Sequence, residues 1–190
     1  MPDADEMLTR ILDAAAEEFS RHGVRRTSMD DVARRAKVGR NTVFRRLGSK
    51  DELVHAVLGR EMVRLFGDLE RVVADVTGPL ERLVSIFATT VRALRAHPMQ
   101  TDEALSAEAA ELSGFGGGEF IRLSADFVAG VLAADRERGE LSDTVDIPTI
   151  AELTVRLVHS VVLVPHLHQP LDSDADLRAF AAAALGPHLR

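Results

Sequence analysis

Residues 21–50, RHGVRRTSMDDVARRAKVGRNTVFRRLGSK, carry ten Arg or Lys against two Asp, a formal charge of +8 in a chain whose net charge is −7. The remainder of the chain therefore sums to −15. Charge segregated this sharply presents one face to a polyanion and repels it elsewhere. The punctuation of the stretch is that of short helices. Ser28 stands three residues before Asp31, so its hydroxyl and that carboxylate satisfy the first free N–H groups of a helix over 29–36 whose inner face is Met29, Val32, Ala33 and Ala36. A turn at Ala36-Lys37-Val38-Gly39 leads to a third helix over 40–47, anchored by Val38, Val43 and Leu47, with its other positions polar or basic. A helix-turn-helix that reads DNA follows from that pattern.

Working outward, Leu8, Ile11, Leu12, Ala15 and Phe19 form one buried stripe of a first helix, which Gly23 stops. Downstream, Ser49 and Glu52 repeat the cap spacing and open a long helix through Leu53, Val57, Met62, Leu65, Leu69 and Val73 that bridges two domains. Beyond it the breaks fall at Thr77-Gly78-Pro79, His97-Pro98, Gly114 to Gly118, Gly139, Ile147-Pro148, Pro165 to Ser173 and Gly186-Pro187. The intervals between them are helical and none alternates like a strand, which predicts an all-α fold of about nine helices. The expected division is a helix-turn-helix DNA-binding domain over 1–48, with 1–6 a flexible tail, and a helical effector-binding and dimerisation domain over 49–190.

With 190 residues and 46% apolar composition the chain can bury a sizeable core. It has no cysteine, which excludes disulfides, iron–sulfur clusters and thiolate zinc. The start, MPDADEML, is acidic where a secretion signal is basic, and the most apolar run, Leu153 to Leu167, is broken by Arg156, His159, Pro165 and His166. A cytoplasmic protein with no membrane partner is expected.

These residues together resemble the TetR family of bacterial transcriptional regulators, most strongly over Leu8 to Leu58. The family pattern is a hydroxyl cap, an Ile/Val-Ala step, a basic pair, an Ala-Gly-Val turn, then Thr/Ser-hydrophobic-aromatic and a Lys-acid-acid-Leu exit. Here it reads Ser28-Met29-Asp30-Asp31-Val32-Ala33-Arg34-Arg35-Ala36-Lys37-Val38-Gly39-Arg40-Asn41-Thr42-Val43-Phe44-Arg45-Arg46-Leu47, then Lys50-Asp51-Glu52-Leu53. Three positions depart from it: Lys37 replaces a glycine, Phe44 a tyrosine and Leu47 a phenylalanine.

On the third helix, Arg40, Asn41 and Arg45 are the residue types that read base edges, Arg preferring guanine and Asn adenine. Ser28, Thr42, Arg46, Lys50 and the Gly39 amide fit phosphate contacts, and the resemblance adds the Phe44 ring. Arg34 and Arg35 read equally as a solvated face, and Arg25 and Arg26 more readily as one than as DNA contacts. Asp30 is left out, because phosphate repels a carboxylate unless it accepts from cytosine N4.

The resemblance implies a ligand-responsive repressor that binds a palindromic operator as a homodimer. It places an effector pocket in the middle of the chain, for which Phe66, Phe87, Met99, Leu105, Leu112, Phe115, Phe120 and Phe127 are the candidates; as Phe, Leu and Met at helical spacing they also read as ordinary core. Absence of Trp and Tyr favours an apolar effector. Leu153, Leu157, Val161, Val164, Leu177 and Phe180 are the candidate dimer contacts, since the last two long helices are apolar on more than one face or rich in alanine. An activator or ligand-independent DNA binder of the same fold is the alternative. A His-dependent or metal enzyme built on His159, His166 and His168 near Asp172 is the distant one, as their spacing matches no metal signature. No catalytic residue, cofactor or metal ligand is assigned.

Overall fold

The computed structural model describes residues 4–96, 121–164 and 167–189, and among them the chain is helical without a strand. It divides into two compact units, the first reaching Arg64 and the second taking the described residues from Leu65 onward.

The first unit contains α1 (Ala4–His22), α2 (Met29–Ala36), α3 (Arg40–Leu47) and the opening turns of α4 (Lys50–Ala74). Its core is small and closed: Ile11, Ala15, Val32, Val43 and Val57 are fully buried, and Phe19, Leu53 and Val54 nearly so. Burying side chains of this size contributes roughly 1.5–3 kcal/mol each. The helices start where side chains can cap them. Ser28 Oγ accepts from the Asp31 amide at 3.2 Å while the Ser28 amide donates to Asp31 at 2.9 Å. Ser49 and Glu52 repeat the reciprocal pair at 3.2 and 2.7 Å. The helices end where the backbone turns left-handed, at Gly23, Lys37 and Gly48, with φ of 78°, 54° and 63°. Ion pairs tie the packing together. Arg35 on α2 bonds Glu18 on α1 and lies 2.9 Å from Glu17, and Arg60 on α4 donates to Asp13 on α1 at 2.8 Å.

In the second unit, α5 (Pro79–Ala96) packs against α7 (Ile147–Leu163) and α8 (Asp174–Leu185), which runs into a 3-10 turn (Gly186–Leu189). Helix α6, described over 121–137, adds Val128 and Leu132 to the core that Leu83, Phe87, Val91, Leu177 and Leu185 build. Asp146 caps α7 by accepting from the Thr149 amide at 3.2 Å, and Ser173 with Asp176 forms a capping box at the start of α8. Arg82 on α5 reaches the fully buried Asp135 at 2.5 Å and Glu140 at 2.6 Å, and Arg138 also holds Asp135. Arg95 closes the other end of α5 by donating to the carbonyl oxygens of Leu171 and Val161.

Candidate nucleic-acid interface

Helix α3 has two faces of opposite character. Val43 and Leu47 point into the core, while Arg40, Asn41, Phe44, Arg45 and Arg46 are exposed and Thr42 is half-buried. An eight-residue helix anchored on one side by two aliphatic side chains and covered on the other by guanidinium and amide groups matches the width and donor pattern of a major groove. Gly39 leads into it with an extended backbone and no side-chain cap, so the first amides of α3 are left for an outside acceptor.

Two of the exposed groups are held in place. Arg40 Nη1 lies 2.9 Å from Asp30 Oδ2 on α2, and the Arg40 guanidinium carbon sits 5.2 Å from the centre of the Phe44 ring. Lys50 is half-buried at the start of α4 and its Nζ donates to the Arg25 carbonyl at 3.1 Å. Burial holds the Lys50 ammonium below the usual lysine range, and Asp51 partly opposes the shift. Ser28 is exposed and engaged with Asp31, whose carboxyl is lowered from 3.8 to about 2 by the Ser28 hydrogen bonds first and by Arg34 second. Arg34 pairs with Asp31 at 2.5 Å, and Arg35 with Glu17 and Glu18. Arg35 thus joins α1 to α2 rather than standing on a solvated face. Repulsion by phosphate argues against an acid on this surface, but Asp30 is paired with Arg40, ten positions away across a turn, where no periodicity signals the contact.

The residues assigned to an effector divide in two. Phe66 and Phe127 stack at 5.1 Å and are partly buried, and Phe87 is fully buried in the core with its ring 5.9 Å from Phe180. Met99, Leu105, Leu112, Phe115 and Phe120 lie outside the described residues. Among the dimer candidates, Leu177 is fully buried and Val161 nearly so within the subunit, so neither has surface to offer a second copy. Leu153, Leu157 and Phe180 are half-buried and Val164 is exposed. Beside Phe180, a groove of about 550 Å³ is lined by Pro170, Ala179, Ala183 and Ala184 among others. His159 and His168 are exposed, His166 lies outside the described residues, and no three His, Asp or Glu converge as metal ligands among the described ones.

The model of the bacterial regulatory proteins of the tetR family matches residues 11–57, which take in most of α1, all of α2 and α3, and the start of α4. An HTH-type transcriptional regulator of Mycobacterium tuberculosis is 30% identical over 178 residues, covering 94% of this chain and 83% of its own length. The chain belongs to the TetR family. An HTH-type transcriptional repressor of Streptomyces coelicolor is 28% identical over 174 residues, covering 92% of this chain and 88% of the repressor. Among solved structures, one assigned to the TetR family from Mesorhizobium loti superposes with a TM-score of 0.72 at 18% identity, covering 100% of this chain and 98% of the other. This TetR-family member is a DNA-binding transcriptional regulator.

Its departures from the family pattern are visible in the geometry. Lys37 occupies the left-handed turn position itself, with φ 54° and ψ 44°, instead of displacing the turn. Its amide donates to the Ala33 and Arg34 carbonyls, bonds that reward a conformation costing roughly 1 kcal/mol for a residue with a Cβ. Leu47 is 9% exposed and closes the core at the end of α3. Phe44 has no hydroxyl to give a phosphate and instead lies under Arg40.

Proposed function

We propose that the regulator binds palindromic double-stranded DNA as a homodimer, with α3 of each copy in the major groove, and represses transcription until a small effector releases it. The observation that carries the reading is the exposed row of Arg40, Asn41 and Arg45 on a helix whose opposite face is locked by Val43 and Leu47. Arg and Asn present donors in the fork geometry that guanine and adenine accept, worth roughly 1–3 kcal/mol of discrimination each. Ser28, Thr42, Arg46, Lys50, the Gly39 amide and the Phe44 ring position the backbone. The effector is a small apolar molecule, a reading supported by a chain that has eight Phe and no Trp or Tyr. An operator target places the working protein in the bacterial cytoplasm, on the nucleoid when bound; no described helix is long and apolar enough to cross a membrane.

Selection of bound DNA from a random library, at low and physiological salt and repeated with Arg45→Ala, tests the reading. A two-fold symmetric motif whose preference relaxes at one base pair per half-site in the variant is the expected result. Salt-sensitive retention of all sequences without a motif refutes it.

A further inference from the structure

We propose that Asp30, a residue of α2 that touches no base, is a positioning residue for sequence recognition: it and Phe44 fix the Arg40 guanidinium so that Arg40 reads guanine. The inference rests on the base-reading role of α3 given above and names the device that makes one of its contacts selective.

Asp30 and Arg40 belong to different helices, and their side chains meet at 2.9 Å across the turn that separates them. The guanidinium also lies over the Phe44 ring one helical turn further along α3, 5.2 Å from its centre. Two groups from two elements therefore converge on one side chain that would otherwise sample many rotamers. A free arginine at the start of α3 turns to a phosphate as readily as to a base edge, and its guanine preference is diluted. An arginine with one nitrogen bound to a carboxylate and its plane resting on a ring offers the rest of its fork in a single direction, the requirement for a bidentate contact to guanine O6 and N7.

The same arrangement accounts for an acid on a DNA-facing surface. The phosphate backbone repels an unpaired carboxylate, but Asp30 shares its charge with Arg40, and the pair presents no net charge. In water the contact is weak, because the two side chains are 63% and 49% exposed. Inside a groove that excludes water the attraction strengthens, so its consequence falls on selectivity in the complex and hardly on the free protein's stability.

The experiment is library selection with the full chain as wild type, Asp30→Ala, Asp30→Asn, Arg40→Ala and the Asp30→Ala/Arg40→Ala double variant, with thermal melting of each to show that it is folded. Arg40→Ala is expected to lower the guanine preference at one base pair of each half-site by about tenfold or more. Asp30→Ala relaxes the same base pair, by about fivefold, and the double variant is no worse than Arg40→Ala alone, because both changes remove one interaction. Asp30→Asn, which keeps an acceptor oxygen without the charge, falls between Asp30→Ala and wild type. If Asp30→Ala instead raises affinity for every sequence by one factor and leaves the motif intact, the carboxylate merely repels DNA and the positioning role is wrong. Relaxation at a different base pair makes Asp30 a reader in its own right and also overturns it. A wild-type chain that enriches no motif overturns the base-reading function itself, and the positioning role with it.

Discussion

The Ser28 hydroxyl and the Asp31 carboxylate show how one side chain serves two ends here. Each caps a backbone amide of the other residue, and the hydrogen bonds from Ser28 hold the Asp31 carboxyl at about 2 instead of 3.8. Because the folded value is depressed, the cap contributes its stability fully above the unfolded value and loses it as the pH falls from about 3.8 through about 2. The difference in thermal midpoint between wild type and Asp31→Asn is therefore expected to be constant from pH 7 to pH 5 and to shrink towards zero below pH 3; a difference that does not change with pH would assign the cap's effect to shape alone. Ser28 was readable as a cap from its spacing to Asp31. Arg40, Asn41 and Arg45 were readable as exposed from the polar face of α3. The pairing of Asp30 with Arg40 was not, since a contact between two helices depends on their crossing and leaves no trace in local spacing.

At the scale of the elements, the boundaries of α2 and α3 coincide with those expected from Ser28, the Lys37 turn and Gly48, because each end is fixed by a local hydrogen bond or a positive φ. The same holds for α4 at Ser49 and α8 at Ser173, and the all-α architecture was legible for that reason. What was not legible is which apolar face meets which neighbour: Leu177 looked like partner surface and is core, on a helix that packs against α5. The turn itself gives a prediction. Lys37→Gly removes the Cβ strain at φ 54° and, since the position is exposed and its side chain is not needed for the two amide bonds, is expected to raise unfolding free energy by about 1 kcal/mol in denaturant titration. Gly48→Ala works in the opposite sense. Its Cβ would fall 2.0 Å from Glu52 Oε2, the oxygen that accepts from the Ser49 amide, at a φ of 63° that disfavours any side chain. Lost cap and backbone strain together cost about 2 kcal/mol, read by the same titration.

For the whole molecule, the homodimer proposed above depends both on a sturdy second unit and on a face of it that a second copy can meet. Sturdiness depends on a buried ionic cluster as well as on hydrocarbon. Asp135 is fully buried, burial pushes its carboxyl up, and Arg82 and Arg138 pull it back down. Arg82→Ala leaves that carboxylate without one of its two guanidiniums and is expected to destabilise the chain by about 3–5 kcal/mol, measured as a fall in the unfolding midpoint. The pairing face is a separate matter. With Leu177 and Val161 committed to the subunit's own core, the apolar surface left on and beside α7 and α8 includes Leu153, Leu157, Leu163, Val164, Phe180 and the small exposed side chains Ala179 and Ala183 that line the groove. Alanines on an outward helical face let a second helix approach closely, and a long cation placed among them prevents it. Ala179→Arg is therefore expected to sediment as a 20.7 kDa monomer where the proposed wild-type homodimer has twice that mass, with an unchanged unfolding midpoint at the lowest protein concentrations. Operator affinity should fall by about a hundredfold or more, because two half-sites no longer share one linked ligand. A variant that remains dimeric and binds the operator as before would place the pairing face elsewhere on the second unit.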